Sequence, residues 1–376
     1  MAYITGASMI NIDRHYDKSI RRLASDAVFK LDSSSVENVD YVIVASSISY
    51  LQEPQLDLAS YIASALGLRN ARAFNVEAGE VSGATAVLMA KSLVDSRLAS
   101  KVLVVGVDKL SNYPSAVTYK HISLLNDSES ESLYSIGLGG IAGILMRLYM
   151  ETYKVDRLTL AYWPALMHSN AKLNPYAMLR FTITPEKVLD AMPIADPITL
   201  LDTFPIGDGA AALVVESKPR DALAEIVAVE SAVGYPSITL SPDPLRIDSL
   251  ELAYSRLTEK LDLKRIDVIE LHDSYTISAI LQLESLRLAE RGKAAEAVAN
   301  GYFTVNGDGP VVNPSGGLKA RGHPIGATSV YQVAEVASQI AGIFPGLKVP
   351  DAKSGLVVSV NGFGSNSYVV YLRGVE

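Results

Sequence analysis

Three short stretches hold side chains able to move protons: Gly79-Glu80-Val81-Ser82-Gly83, His272-Asp273-Ser274-Tyr275 and Gly322-His323-Pro324. A carboxylate beside an imidazole is the usual equipment of general acid–base chemistry near neutral pH, so Glu80, His272 and His323 are the first candidates. Sulfur chemistry is excluded. The 376 residues contain no cysteine, which removes disulfides, thiolate–zinc sites and any thiol nucleophile. Ser82 is a poor substitute nucleophile, because it falls on the first turn of a predicted helix, where capping is the ordinary job of a serine.

Other patterns carry less. Gly137-x-Gly139-x-x-Ala142 mimics a dinucleotide fingerprint, yet it follows the polar run Ser128 to Ser132 rather than a strand. Asp202 and Asp208, with Gly207 and Gly209, could suggest a metal site, but a tight turn into the strand Ala210 to Val215 accounts for them, and no metal is expected. Phosphate-loop, zinc-helix and calcium-loop signatures are absent from the sequence.

The elements that must position these residues alternate between β-branched runs and helical patterns, which is the mark of an α/β protein. Strands are predicted at Val42 to Val44, Val102 to Val105, Ala210 to Val215, Val268 to Leu271 and Leu356 to Val360. Helices are predicted at Ala84 to Val94, Leu250 to Leu261 and Ile277 to Ala289. Part of the pattern recurs. Asp40 to Ser47 lines up with Asp267 to Ser274 at an offset of 227, Ser82 to Val87 with Ile325 to Val330 at 243, and Leu103 to Asp108 with Leu356 to Asn361 at 253. Three matches in one order indicate two copies of one unit. The offset of 243 pairs Glu80 with His323, each just ahead of a helix whose first turn is small, and helix N-termini stabilise anions.

Composition bounds the rest. Hydrophobic residues are 49% and charged ones 20%, which suits sheets covered on both faces, and a chain this long normally divides into two parts. The net charge of −8 comes with no basic block, so nothing points to nucleic acid. No apolar run is long enough for a membrane span, and a cytoplasmic protein is expected.

The sixteen-residue run Asn313-Pro-Ser-Gly-Gly-Leu-Lys-Ala-Arg-Gly-His-Pro-Ile-Gly-Ala-Thr328 resembles the C-terminal signature of thiolases, particularly the sterol-carrier-protein-type and archaeal branch. Val76 to Gly83, Asn174-Pro-Tyr-Ala177, Asp202 followed by Gly207 to Ala212, and His272 to Thr276 agree with that branch, in family order, over roughly residues 40 to 370. The resemblance implies the five-layer αβαβα thiolase fold of two pseudo-symmetric halves. The first half would be residues 1–112 plus 196–220 and the second 221–376, with 113–195 an inserted loop domain over the pocket. It sets the family's nucleophilic cysteine at Glu80, its activating histidine at His323, and at His272 the histidine that orients water or donates to an oxyanion. The family's glycine-rich loop matches Asn361-Gly-Phe-Gly-Ser365; with Gly326, the loop residues Asn361, Gly362 and Gly364 are the expected substrate-loop donors.

Because cysteine stands neither at position 80 nor in the Asn361 to Ser365 loop, where many family members carry a second catalytic cysteine, the acyl-enzyme route is closed, and a carboxylate attacking a thioester would give only a reactive mixed anhydride. Glu80 with His323 could instead abstract a proton α to a thioester carbonyl or drive a retro-aldol cleavage, with His272 and backbone N–H groups holding the enolate. Cysteine-less members of this branch are similar to aldolases that cleave acyl-CoA side chains, and there Tyr275 is the candidate proton carrier. Two other readings stand beside this one: a non-catalytic thiolase-like scaffold subunit, and an ordinary acetyl-CoA C-acetyltransferase. The family further implies a coenzyme A thioester as substrate or ligand and no tightly bound cofactor. It also implies at least a homodimer through edge strands of the first half, an OB-fold acyl-CoA-binding partner and a hydroxymethylglutaryl-CoA synthase.

Overall fold

The computed structural model describes residues 1–218, 221–263 and 265–375. Twelve strands are seen among them: β1 (Ala2–Met9), β2 (Tyr41–Ala45), β3 (Arg72–Val76), β4 (Lys101–Asp108), β5 (Pro193–Ala195), β6 (Ile198–Thr199), β7 (Gly209–Glu216), β8 (Ala224–Val233), β9 (Val268–Glu270), β10 (Val311–Val312), β11 (Ser354–Asn361) and β12 (Asn366–Arg373). β5 and β6 form a small hairpin, and the other ten run in the order β10-β9-β11-β12-β8-β1-β7-β4-β2-β3.

That order is a palindrome of two five-stranded units. In the first, β2 is parallel to β3 and β4, while β7 runs antiparallel to β4 and β1. In the second, β9 is parallel to β10 and β11, and β12 runs antiparallel to β11 and β8. The two mixed units, one per half, touch edge to edge. β1 pairs with β8 at Ala2, Ile4 and the residue between, while its ladder to β7 extends from Tyr3 to Met9, so the join is confined to one end of the strand.

The layers follow from the two-residue period of a strand, which sends alternate side chains to opposite faces. In β2, Val42 and Val44 enter one hydrophobic cluster and Ile43 and Ala45 another; in β4, Leu103 and Val105 oppose Val102 and Val104 in the same way. The second unit repeats this, with Leu356 and Val358 on one face of β11 and Val357 on the other. Three cores therefore separate five layers. The middle core holds helices Ser82–Asp95 and Thr328–Ile340, and the second of these is buried at nearly every position. The two helices pack closely because Gly83 lacks a side chain: a Cβ there would lie 2.9 Å from the Val330 nitrogen and 3.0 Å from the Gly326 oxygen.

Predicted elements and observed ones differ mostly at ends. The third predicted helix closes earlier, as Thr276–Ser285, because Arg287 adopts a φ of 58°, in the left-handed region that stops a helix. Between β4 and β7 the chain forms helices Ser115–Ile122, Leu138–Tyr153, Arg157–Ala171 and Pro185–Leu189 and the β5–β6 hairpin. No helix among the described residues is long and apolar enough to cross a membrane.

Candidate active site

Glu80 ends the turn before helix Ser82–Asp95. Ser82 holds that turn by donating to the Gly79 carbonyl at 2.6 Å and accepting the Ala78 amide at 2.8 Å, so its hydroxyl is spent on the backbone. Gly79 has a φ of 61°, and a Cβ on it would sit 2.1 Å from Asn361 Oδ1; both facts require glycine. Asn361 is the last residue of β11. Its side-chain oxygen accepts the Glu80 amide at 3.0 Å, and the next amide, Gly362, donates to Glu80 Oε2 at 2.5 Å.

The other carboxylate oxygen, Oε1, lies 3.1 Å from His323 Nε2. The far nitrogen of that ring, Nδ1, meets the Thr328 hydroxyl at 2.7 Å. His272 Nε2 stands 3.5 Å from the same Oε1, too long for a good hydrogen bond, and neither ring nitrogen of His272 has a hydrogen-bond partner among the described residues. The two imidazoles meet edge to face at 5.0 Å. All three side chains are buried.

Burial alone would raise the Glu80 carboxyl, but the two imidazoles outweigh it and bring it down to about 2. Burial lowers the His323 imidazole to about 4, with Glu80 resisting the shift. At neutral pH the pair is therefore a carboxylate facing a neutral ring, with the Nε2 hydrogen directed at Glu80 and Nδ1 accepting from Thr328. Glu80, His272 and His323 each offer one donor atom within 4.8 Å of the others, so the same set has the composition of a divalent-cation site, with Thr328 behind one ring.

His272 owes its place to β9 and the residues after it. Gln282 clamps its backbone, accepting the amide at 2.9 Å and donating to the carbonyl at 2.7 Å. The next residue, Asp273, takes the Leu318 amide at 2.7 Å and the Trp163 indole at 3.1 Å, which locks the His272 loop to the run leading to His323. Burial pushes the Asp273 carboxyl up to about 8. Asn174 serves the same run by donating to the Ser315 carbonyl at 2.9 Å. Asp202 and Asp208 also tie chain segments together. Asp202 binds Arg157 and accepts from Thr276 at 2.8 Å, while Asp208 pairs with Lys109 at 3.1 Å and takes the Leu110 and Ser111 amides.

Of the residues singled out from sequence, Glu80, His323, His272, Asn361 and Gly362 meet at one point. Tyr275 lies close by in a second layer. Its ring packs at 5.9 Å against both Phe204 and Phe363, and Phe204 stacks on His323 at 4.8 Å. Burial pushes its phenol well above the usual range, so it stays protonated. Gly364, with a φ of 123°, bends the loop and accepts Ser249 Oγ at 2.7 Å through its carbonyl. Gly326 is placed differently from the expectation: its amide donates to Asp108 Oδ2 at 2.6 Å and is not directed at Glu80. Sequence reasoning missed Thr328, Gln282 and Phe204, which have no motif signal of their own, although Thr328 closes the sixteen-residue run.

The sequence profile of the thiolase N-terminal domain matches residues 2–219, and that of the thiolase C-terminal domain-like family matches residues 249–373. An acetyl-CoA acetyltransferase of Methanocaldococcus jannaschii is 31% identical, covering 90% of this chain and 89% of that protein. A protein of the same description from Methanothermobacter thermautotrophicus is 32% identical, covering 97% of each. Rat sterol carrier protein 2 is 32% identical over 82% of this chain and 59% of that protein. Among solved structures, an Ltp2-ChsH2(DUF35) aldolase superposes with a TM-score of 0.83 at 20% identity, covering 99% of this chain and 97% of that one. Human mitochondrial 3-ketoacyl-CoA thiolase superposes at 0.78 with 16% identity, covering 100% and 99%. Two mirrored five-stranded units, two helices buried between them and two profiles that together span almost the whole length lead to one assignment: this cysteine-free chain belongs to the thiolase superfamily.

Proposed function

We propose that the chain makes or breaks a carbon–carbon bond beside the carbonyl of a coenzyme A thioester by aldol-type chemistry, without an acyl-enzyme. The observation that supports this reading is the ionised Glu80 carboxylate on His323, with the unpartnered imidazole of His272 facing the same oxygen, in a chain that has no thiol. In the cleavage direction Glu80 accepts the proton of a 3-hydroxyl group. The O–H electrons close a new carbonyl, the Cα–Cβ bond breaks, and its electron pair moves onto the thioester oxygen. His272 donates to that oxygen while His323 keeps its Nε2 hydrogen on Glu80, and Tyr275 returns a proton to Cα. Proton transfer from Glu80 to the tyrosinate restores both groups. A carboxylate held near 2 is too weak a base to deprotonate an alcohol in a separate step, so proton transfer and bond cleavage are concerted.

The fixed negative charge argues against decarboxylation, since a substrate carboxylate would have to approach Glu80. The aldolase description of the Ltp2-ChsH2(DUF35) structure agrees with the reading, and the second component it names leaves room for the partner we propose here, an OB-fold protein that binds acyl-CoA. A homodimer is proposed through β3, the strand at one end of the ten-stranded order, and the hydroxymethylglutaryl-CoA synthase association stays with the same proposal.

One observation favours a second reading. Gly362 and His323 already satisfy both Glu80 oxygens, as in a resting structural contact, which suits a non-catalytic scaffold. Incubation with 3-hydroxyacyl-CoA thioesters separates the two: release of a carbonyl compound and a shorter thioester, abolished in Glu80→Gln, supports the aldol reading, and no release from any of them overturns it. Thiolysis of acetoacetyl-CoA by CoA, the activity for which the archaeal relatives are named, is expected to be absent; enzymic turnover there would defeat the role given to Glu80.

A further inference from the structure

The segment Gly137 to Gly139, which has no part in the chemistry above, opens helix Leu138–Tyr153 and forms a wall of a cavity of about 680 Å³. Ile122, Leu124, Ile136, Leu138 and Ile194 line it, and Thr203 and Tyr275 close its inner end. Three of the seven polar side chains in this wall are spent on nearby backbone carbonyls, and Tyr119, Lys120, Ser135 and Tyr275 are the others. Ser123 donates to the Tyr119 carbonyl at 2.8 Å, Ser132 to the Ser123 carbonyl at 3.3 Å and Thr203 to the Leu200 carbonyl at 3.0 Å. What remains for an occupant is chiefly hydrocarbon. Tyr275 links the cavity wall to the site by packing: its ring meets Phe204, and Phe204 meets His323 edge to face at 4.8 Å.

Leu138 also borders a second, smaller cleft of a different character, walled by Asn126, Ser237, Ser241 and the backbone of Gly362 to Ser365. Gly362, whose amide holds Glu80, is part of its wall. A thioester has a polar arm on the sulfur side and an acyl group on the other side of its carbonyl. The 680 Å³ cavity matches the acyl side, whereas the smaller cleft, about 30 Å³, has no room for the arm as it stands.

Resting on the acyl-CoA reading above, we propose that the 680 Å³ cavity is an acyl-group site and that the chain is built for a long or bulky apolar acyl chain rather than acetyl. The volume is that of a site for a drug-sized ligand, ~300–1,000 Å³, and a two-carbon acyl group would leave most of it filled with water against an apolar wall. Gly139 sets the width. A Cβ there would meet Ile194 Cγ2 at 3.4 Å and the Tyr275 hydroxyl at 4.0 Å, ordinary contact distances, so a larger side chain would fill the space next to Tyr275 without striking the backbone.

The test is calorimetric binding of saturated, unreactive thioesters to the full chain: acetyl-, hexanoyl- and decanoyl-CoA, with free CoA as reference. Affinity is expected to climb about two- to fourfold per added methylene until the cavity is full. Gly139→Leu should reduce the ratio of decanoyl- to acetyl-CoA affinity about tenfold or more. Leu124→Trp narrows the cavity from another wall at a side chain that is 62% exposed, so it carries the same test if Gly139→Leu does not fold. A flat series, or a loss equal for all thioesters, overturns the assignment and gives the cavity to the coenzyme A arm. If neither CoA nor any thioester binds, the acyl-CoA reading falls and takes this proposal with it. Because the ligands are unreactive, a catalytically dead protein still answers.

Discussion

Asp108 and Asn361 end equivalent strands, β4 in the first unit and β11 in the second, and each reaches across to the other unit just ahead of a central helix. Asp108 Oδ2 takes the Gly326 amide at 2.6 Å, and Asn361 Oδ1 takes the Glu80 amide at 3.0 Å. The surroundings differ. Asp108 is fully buried and also accepts from the hydroxyls of Ser46 and Ser49 and from the Ser47 amide. Asn361 is partly exposed, and among the described residues its side chain has only Ser365 besides, at 2.9 Å. The same backbone geometry thus serves as a sealed clasp on one side and as an open support for the site on the other. The residue types suit those jobs, because a carboxylate can satisfy several donors, whereas a second carboxylate beside Glu80 would repel it.

The clasp should carry the larger share of stability. Asp108→Ala leaves two buried amides and two hydroxyls without their acceptor, and the expected cost is about 3 kcal/mol or more, read as a shift in the denaturant midpoint. A loss below about 1 kcal/mol would mean that water replaces the carboxylate and that the two strand ends are more alike than their contacts suggest.

Titration sharpens the contrast, because the two ends respond to pH with opposite sign. Burial raises the Asp108 carboxyl to about 6 despite its hydrogen bonds. A raised folded value means that its contribution is present below the unfolded value near 4 and is lost as pH rises through 6. Glu80 is lowered to about 2, so its contribution is present above about 4.5 and is lost as pH falls through 2. His323 adds to the acid loss. Its imidazole is lowered to about 4, and the stability of the neutral ring disappears as pH falls from about 6.5 through 4. Glu80→Gln should therefore flatten the stability profile between pH 4.5 and 2 by up to about 3 kcal/mol. An unchanged acid limb would show that Glu80 titrates as it does in the unfolded chain.

This comparison was partly legible in the sequence. The match of Leu103–Asp108 to Leu356–Asn361 already set the two strand ends in register, and the offset of 243 named the Glu80–His323 pair that lies 3.1 Å apart. Both follow from repeated local patterns, which survive in the order of residues. The acceptors around Asp108 could not be read in the same way, since Ser46, Ser47 and Ser49 look like any polar strand end until β2 is laid beside β4. Gly326 shows the opposite failure: its place in a strong motif points to the substrate loop, and tertiary packing gives its amide to Asp108. The Gly137–Gly139 stretch has no strand before it and so no motif meaning in sequence, and its place on a cavity wall depends on the opening of helix Leu138–Tyr153 lying beside Tyr275.

The support at Asn361 is expected to be weaker than the clasp. Asn361→Ala removes one neutral hydrogen bond to a backbone amide and should cost about 1 kcal/mol, with a larger effect on activity because the turn carrying Glu80 is released. Asn361→Asp makes the two strand ends chemically alike and brings a second negative charge to the site. The expected result is a rise in the pH below which activity falls, since the Glu80 carboxyl becomes easier to protonate; an unaltered acid limb would remove electrostatics as the reason for an amide at this position.

The smallest change in stability is expected at Thr328, which touches Glu80 only through His323. Its hydroxyl lies 2.7 Å from Nδ1, and by donating there it places the ring hydrogen on Nε2, toward Glu80 Oε1. Thr328→Val keeps the shape and removes that preference. The other tautomer would then turn a lone pair toward the carboxylate, so the ring loses its grip on Glu80 while the fold loses about 1 kcal/mol or less. A positioning role predicts that kcat falls about tenfold with KM nearly constant, and that Thr328→Ser restores it, because serine supplies the same donor. A purely structural role predicts that thermal stability and KM move together and that serine rescues neither better than alanine does, which would leave the orientation of His323 to its packing against Phe204.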